Sequence, residues 1–68
     1  MPTIIRQKDL RRAFWLAHEP LRLVHRAGRR AKPHDAYPAD VRIAFRRYVD
    51  AATRAGTISE RLARRATL

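Results

Sequence analysis

The chain is predicted to be all-α, a small bundle of three to four helices. Three observations predict this. Ala, Leu and Arg, all strong helix formers, are abundant among the 68 residues, and only two glycines occur. Apolar residues recur at steps of three and four along two long stretches. No stretch alternates with the strand period over a useful length; Thr3-Ile4-Ile5 could be extended, but it is too short to build a sheet.

The first element is a long basic amphipathic segment, about residues 9–31. Leu10, Phe14, Ala17, Leu21, Val24, Gly28 and Ala31 form its apolar stripe, flanked by Ala13 and Ala27. Pro20 interrupts it. A proline inside a helix loses a hydrogen bond and clashes with the preceding turn, costing about 3 kcal/mol. Either a first helix ends near His18 and Pro20 lies in the first turn of a second, or one helix bends at Pro20. The stripe keeps its phase across Pro20 and Glu19 is a poor N-cap, which favours the bend.

Residues 32–38, Lys32-Pro33-His34-Asp35-Ala36-Tyr37-Pro38, read as a linker: two prolines bracket the segment and the periodicity stops. His34-Asp35 is expected to be solvated. Residues 38–66 read as a helical hairpin. Its first arm, about 38–55, begins with Pro38 in the first turn and Asp40 placed for the helix dipole. Val41, Ala44, Phe45, Tyr48, Val49 and Ala52 make its apolar face. Arg46 and Asp50 are spaced to pair at i,i+4. Gly56 is a natural left-handed terminator. Thr57 and Glu60 match a capping box that opens a last helix, about 58–66, with Ile58, Leu62 and Ala66 inward. Tyr48 and Leu62 are expected to be buried.

The whole chain, 1–68, reads as a single small helical domain. Such a chain buries only about 60% of its unfolded surface, so homodimerisation or a partner would help it. There is no cysteine, hence no disulfide and no thiolate metal site. No apolar stretch approaches the ~20 residues of a membrane span. The start of the chain has no apolar core long enough for a signal peptide. A cytoplasmic protein is the expectation. Abundant Arg and Ala with few Lys suit a GC-rich bacterial, phage or plasmid genome.

Charge carries the functional expectation. Sixteen residues are Lys or Arg against six Asp or Glu, a formal charge of +10, and all but two of the sixteen are Arg. Arginine stays charged and matches phosphate with a rigid fork of donors. A polyanionic partner follows, and nucleic acid, DNA or RNA, is the leading one. Lys8, Arg12, Arg22, Arg26, Arg29 and Arg30 fall away from the apolar stripe of the long segment, with only Glu19 to offset them locally. Arg12, Arg22, Arg26, Arg29 and Arg30 are therefore assigned to backbone phosphates. Arg61, Arg64 and Arg65 on the last helix form a second contact region. Trp15 projects toward Arg12, Arg22 and Arg26, where it could stack on an unpaired base or anchor an interface. The plainer alternative is that it packs in the core.

The spacing Ala52, Gly56, Leu62 loosely resembles a DNA-binding helix-turn-helix motif, in which a small residue and a glycine let two helices approach. Over these roughly twenty residues the pattern departs in two places. Thr57 sits where an aliphatic residue is usual, and Arg65 falls near an apolar position. A generic helical hairpin is the simpler expectation.

Other chemistries find little support. His18 and His25 lie two turns apart, about 10 Å of rise, too far for one metal ion. The six acids are scattered, Ser59 sits in a capping turn, and no glycine-rich phosphate loop is present. No enzyme activity, metal or cofactor is expected. A basic amphipathic helix can also lie on an anionic membrane, but here a second amphipathic helix is available to cover the stripe. The rival expectation is a small interaction or inhibitor protein docking on an acidic protein surface, its arginines on carboxylates and Trp15 or Tyr37 as the anchor.

Overall fold

The computed structural model describes residues 3–26, 28, 30 and 32–68. Among them the chain is all-helical, with four α-helices and no strand. In order these are α1 (Gln7–Ala17), α2 (Glu19–His25), α3 (Ala39–Arg54) and α4 (Glu60–Arg65), with a single 3-10 turn, His34–Ala36, before α3.

The N-terminal segment breaks at Pro20 rather than bending. α1 ends at Ala17, and His18 leaves helical geometry with φ −123° and ψ 58°. Pro20 then sits in the first turn of α2, where its missing N–H has no intrahelical acceptor to satisfy. A continuous helix would have put the proline ring against the carbonyl one turn back. His18 secures the break from both sides. Its ring Nδ1 donates to the Phe14 carbonyl (2.9 Å), which fixes the proton on that nitrogen. Its own carbonyl accepts the Arg22 N–H (3.0 Å), the first bond of α2. The break also ends the stripe: Leu10 and Phe14 are fully buried and Leu21 packs on the core, but Val24 is 57% exposed. Helix ends at His25, well short of residue 31. The stripe position Ala31 and the flanking Ala27 lie outside the described residues.

One core holds the elements together. Leu10, Phe14 and Trp15 from α1 meet Tyr37, Val41, Phe45 and Val49, and Ile58 and Leu68 close it. Phe14 is the centre of an aromatic cluster. Its ring meets Trp15 (4.9 Å), Phe45 (5.2 Å) and Tyr48 (5.8 Å) edge-on and stacks on His18 (4.3 Å). Such pairs add about 0.5–1.5 kcal/mol each beyond burial. Tyr48 and Leu62, expected inside, are only half-buried at the rim of this core.

The segment expected as a linker contributes to the core. Tyr37 is 2% exposed, and its hydroxyl accepts the Lys32 N–H (3.2 Å). His34 is not solvated: it is half-buried, and its Nδ1 accepts the Leu68 N–H (3.1 Å). Arg11 completes this closure from α1. Its Nε donates to the Thr67 carbonyl (2.6 Å) and its Nη2 to Thr67 Oγ1 (3.2 Å).

The corner between α3 and α4 follows Gly56, which takes φ +76°. Gly56 N–H donates to Thr53 O (3.1 Å) and Thr57 N–H to Ala52 O (2.9 Å), the paired bonds of a Schellman cap. The helix-starting cap lies two residues later than the spacing suggests. Ser59, not Thr57, is the N-cap, and its Oγ accepts the Leu62 N–H (3.1 Å). Thr57 is occupied elsewhere: its carbonyl accepts both Thr3 N–H (2.9 Å) and Ile4 N–H (3.0 Å), tying the start of the chain to the corner.

Candidate nucleic-acid interface

The break at His18 lets α2 fold back beside α1 and opens a groove between them. It encloses about 470 Å³ and is lined by Lys8, Arg11, Arg12, Trp15, Leu16, Arg22, Arg26 and Gly28. Five of these residues are cationic and none is acidic. Lys8, Arg11 and Arg12 come from α1, Arg22 from α2, and Arg26 from the residue that ends it.

Arg12, Arg22 and Arg26, separated by a break the sequence pattern did not favour, are thus brought to one place. The positions are not equivalent. Arg12 is exposed. Arg22 is half-buried, and its Nη2 lies 3.7 Å from Glu19 Oε1, a distance that leaves the pair as a loose ion pair rather than a hydrogen bond. Arg26 is half-buried, with its guanidinium carbon 5.7 Å from the centroid of the Trp15 ring. That cation–π contact is worth about 0.5–1 kcal/mol at exposed sites and more when desolvated.

Of the two expectations for Trp15, core packing holds and base stacking does not: the ring forms the floor of the groove. It is 5% exposed, meets Phe14 edge-on and lies 5.6 Å from Tyr37. Arg26 approaches the ring, and no face is free for an unpaired base. The indole N–H has no hydrogen-bond partner among the described residues, nor have the Nε–H groups of Arg22 and Arg26, and all three nitrogens are shielded from water.

The remaining assigned arginines separate. Arg30 is exposed in irregular chain and does not line the groove; Arg29 lies outside the described residues. Arg61, Arg64 and Arg65 are exposed on α4. Arg64 lines a different depression with Arg46, Asp50, Thr53, Arg54, Glu60 and Ala63, where carboxylates dilute the positive charge. Arg46 and Asp50 share that depression, but no ion pair joins them among the described residues. α4 has only six residues, under two turns at 3.6 residues each, so little of it could enter a DNA groove.

Among the groove cations, Arg11 was not on the basic face expected from the sequence, and Lys8 was on that face but not among the assigned phosphate contacts. The α1 spacing of Lys8, Arg11, Arg12 and Trp15 marks one side of a helix at steps of three and four, which is the signal that could have found Arg11. Among the described residues no cluster of three metal-ligating side chains occurs, and no helix is long and apolar enough to cross a membrane. Comparison with protein-family models, with curated proteins and with solved structures finds no match.

Proposed function

We propose that this protein is a small basic nucleic-acid-binding accessory protein that holds phosphates in the groove between α1 and α2. The observation that carries the reading is the groove itself: among its described lining residues five are cationic and none is acidic, and its shape is set by two helices that pack on one core. Arg12, Arg22 and Arg26 are the principal phosphate contacts, with Lys8 and Arg11 adding charge. Arg30 and the α4 residues Arg61, Arg64 and Arg65 extend the positive field. Neutralising each phosphate releases condensed counterions, so affinity is electrostatic in origin and falls steeply with salt. The protein acts by binding rather than catalysis.

The rival, docking on an acidic protein, loses the aromatic anchors first assigned to it. Trp15 and Tyr37 are 5% and 2% exposed, so neither can serve as a protruding hot spot.

The test is binding of the purified chain to duplex DNA, single-stranded DNA and structured RNA across roughly 50–300 mM salt. A preference among the three that persists near physiological salt supports the proposal. Weak, indiscriminate binding that vanishes by ~150 mM salt would point to general attraction for polyanions, and hence to the acidic-protein rival.

A further inference from the structure

Three residues that line the groove each carry an N–H donor that is shielded from water and has no acceptor among the described residues. The donors are the indole N–H of Trp15 and the Nε–H groups of Arg22 and Arg26. Buried donors are normally bonded, and each unpaired one destabilises the free protein. Three together, in a lining without a carboxylate, call for a ligand that brings several anionic acceptors at once. Glu19 does not fill that role, since its 3.7 Å approach to Arg22 is made to Nη2 and is not a hydrogen bond.

We propose that the groove is a site for a phosphate monoester: the terminal phosphate of a nucleic-acid strand, or of a free nucleotide. The strand-end form rests on the nucleic-acid reading above. Number and charge choose the monoester over an internal phosphodiester. A monoester carries about −1.5 to −2 charge at neutral pH and three strong acceptor oxygens, one for each orphaned donor. An internal diester has a single charge and two non-bridging oxygens. Size agrees: about 470 Å³ falls within the ~300–1,000 Å³ of small-ligand pockets, enough for one terminal nucleotide.

Binding requires the Arg22 and Arg26 side chains to turn, which brings their shielded Nε–H edges onto phosphate oxygens as forked donors and uncovers the Trp15 indole N–H for the third contact. Lys8, Arg11 and Arg12 balance the second charge. Arg26 must turn to present its Nε–H edge, and that movement changes the surroundings of the Trp15 ring it covers. Trp15 is the only tryptophan, so its emission reports the event directly.

The experiment uses the full chain and internally labelled single strands carrying a phosphate at the 5′ end, at the 3′ end, or at neither, at one ionic strength. Binding is read by anisotropy. Alongside it, Trp15 emission is read with a nucleoside monophosphate and with the matching nucleoside. One phosphorylated strand should bind about tenfold tighter than the unphosphorylated one, the effect of one charge-assisted hydrogen bond. The nucleoside monophosphate, not the nucleoside, should shift the Trp15 emission. The double variant Arg22→Lys, Arg26→Lys keeps the charge but lacks the Nε–H edge. It should weaken the binding of all three strands and bring the phosphorylated and unphosphorylated affinities together, whereas loss of general attraction alone would lower all three equally and keep their ratio.

Equal affinity for all three strands, with no response to the monophosphate, overturns the proposal and leaves the nucleic-acid reading standing. A preference that survives in the Lys variant also overturns it. If no strand binds but the monophosphate shifts the emission, the site stands as a nucleotide site and the nucleic-acid reading fails. No response to any ligand overturns both.

Discussion

Arg26 places its guanidinium carbon 5.7 Å from the centroid of the Trp15 ring, across the helix break at His18. The contact joins the end of α2 to the floor provided by α1 and closes one side of the basic groove. Removing it should expose the indole. Arg26→Ala should red-shift Trp15 emission and cost about 0.5–1 kcal/mol of stability, measured by urea unfolding. An unchanged spectrum would mean that Arg26 does not cover the ring.

Trp15→Ala should be far more damaging than any groove arginine change. Truncating a buried aromatic costs about 3–5 kcal/mol, a large share of what a chain this short can hold. Circular dichroism should show lost helix or a sharply lower Tm. A variant that kept wild-type stability would place Trp15 outside the core.

The core positions also differ in tolerance. Val41 is 0% exposed, so Val41→Asp buries an unpaired charge and should prevent cooperative folding. Tyr48→Asp and Leu62→Asp sit at the half-buried rim and should destabilise less, because the carboxylate can turn to water. Thermal melts of the three variants check this order.

At the α3–α4 corner the two residues that matter are Ser59 and Gly56. Ser59→Ala should cost about 0.5–2 kcal/mol through the lost bond to Leu62 N–H. Gly56→Ala should cost about 1–2 kcal/mol from backbone strain alone, since a Cβ there meets nothing within 4 Å. Thr57→Ala should cost less than Ser59→Ala, because Thr57 is held through its backbone. Denaturant unfolding of the three should give that ranking.

Much of the fold was legible because helical period and burial coincide on α3, where Val41, Phe45 and Val49 are buried with Ala44, Tyr48 and Ala52 packed beside them. Gly56 was legible for a stereochemical reason, the left-handed cap. Whether the segment bends or breaks at Pro20 was not legible, because phase in a sequence assumes a continuous helix. His18 breaks that continuity, and Val24 leaves the core as a result. Thr57 and Ser59 can both cap a helix, and local spacing alone could not know that the Thr57 carbonyl receives the N-terminal segment. Tyr37 and His34 looked like linker residues because their partners, Trp15 and Leu68, are distant in sequence.

The groove was legible in part. Charge on Arg12, Arg22 and Arg26 was visible, but their meeting depends on the fold-back of α2, which no periodicity expresses. Trp15 stood out as an aromatic among arginines; its burial depends on Tyr37 and Arg26, neither of which neighbours it in the chain.

On the proposed function, the α1–α2 groove, rather than the total charge, holds nucleic acid. The most direct measurement compares two triple variants of equal charge across a salt series: Arg12, Arg22 and Arg26 to Gln in the groove, and Arg42, Arg47 and Arg54 to Gln on exposed α3 positions. Each lost phosphate contact lowers the slope of log affinity against log salt by about 0.7–0.9. The groove variant should lose about two to three units of slope and most of the affinity, while the α3 variant keeps a slope close to that of the unmodified protein. Equal losses in both variants would contradict the account and leave a diffuse positive surface in its place.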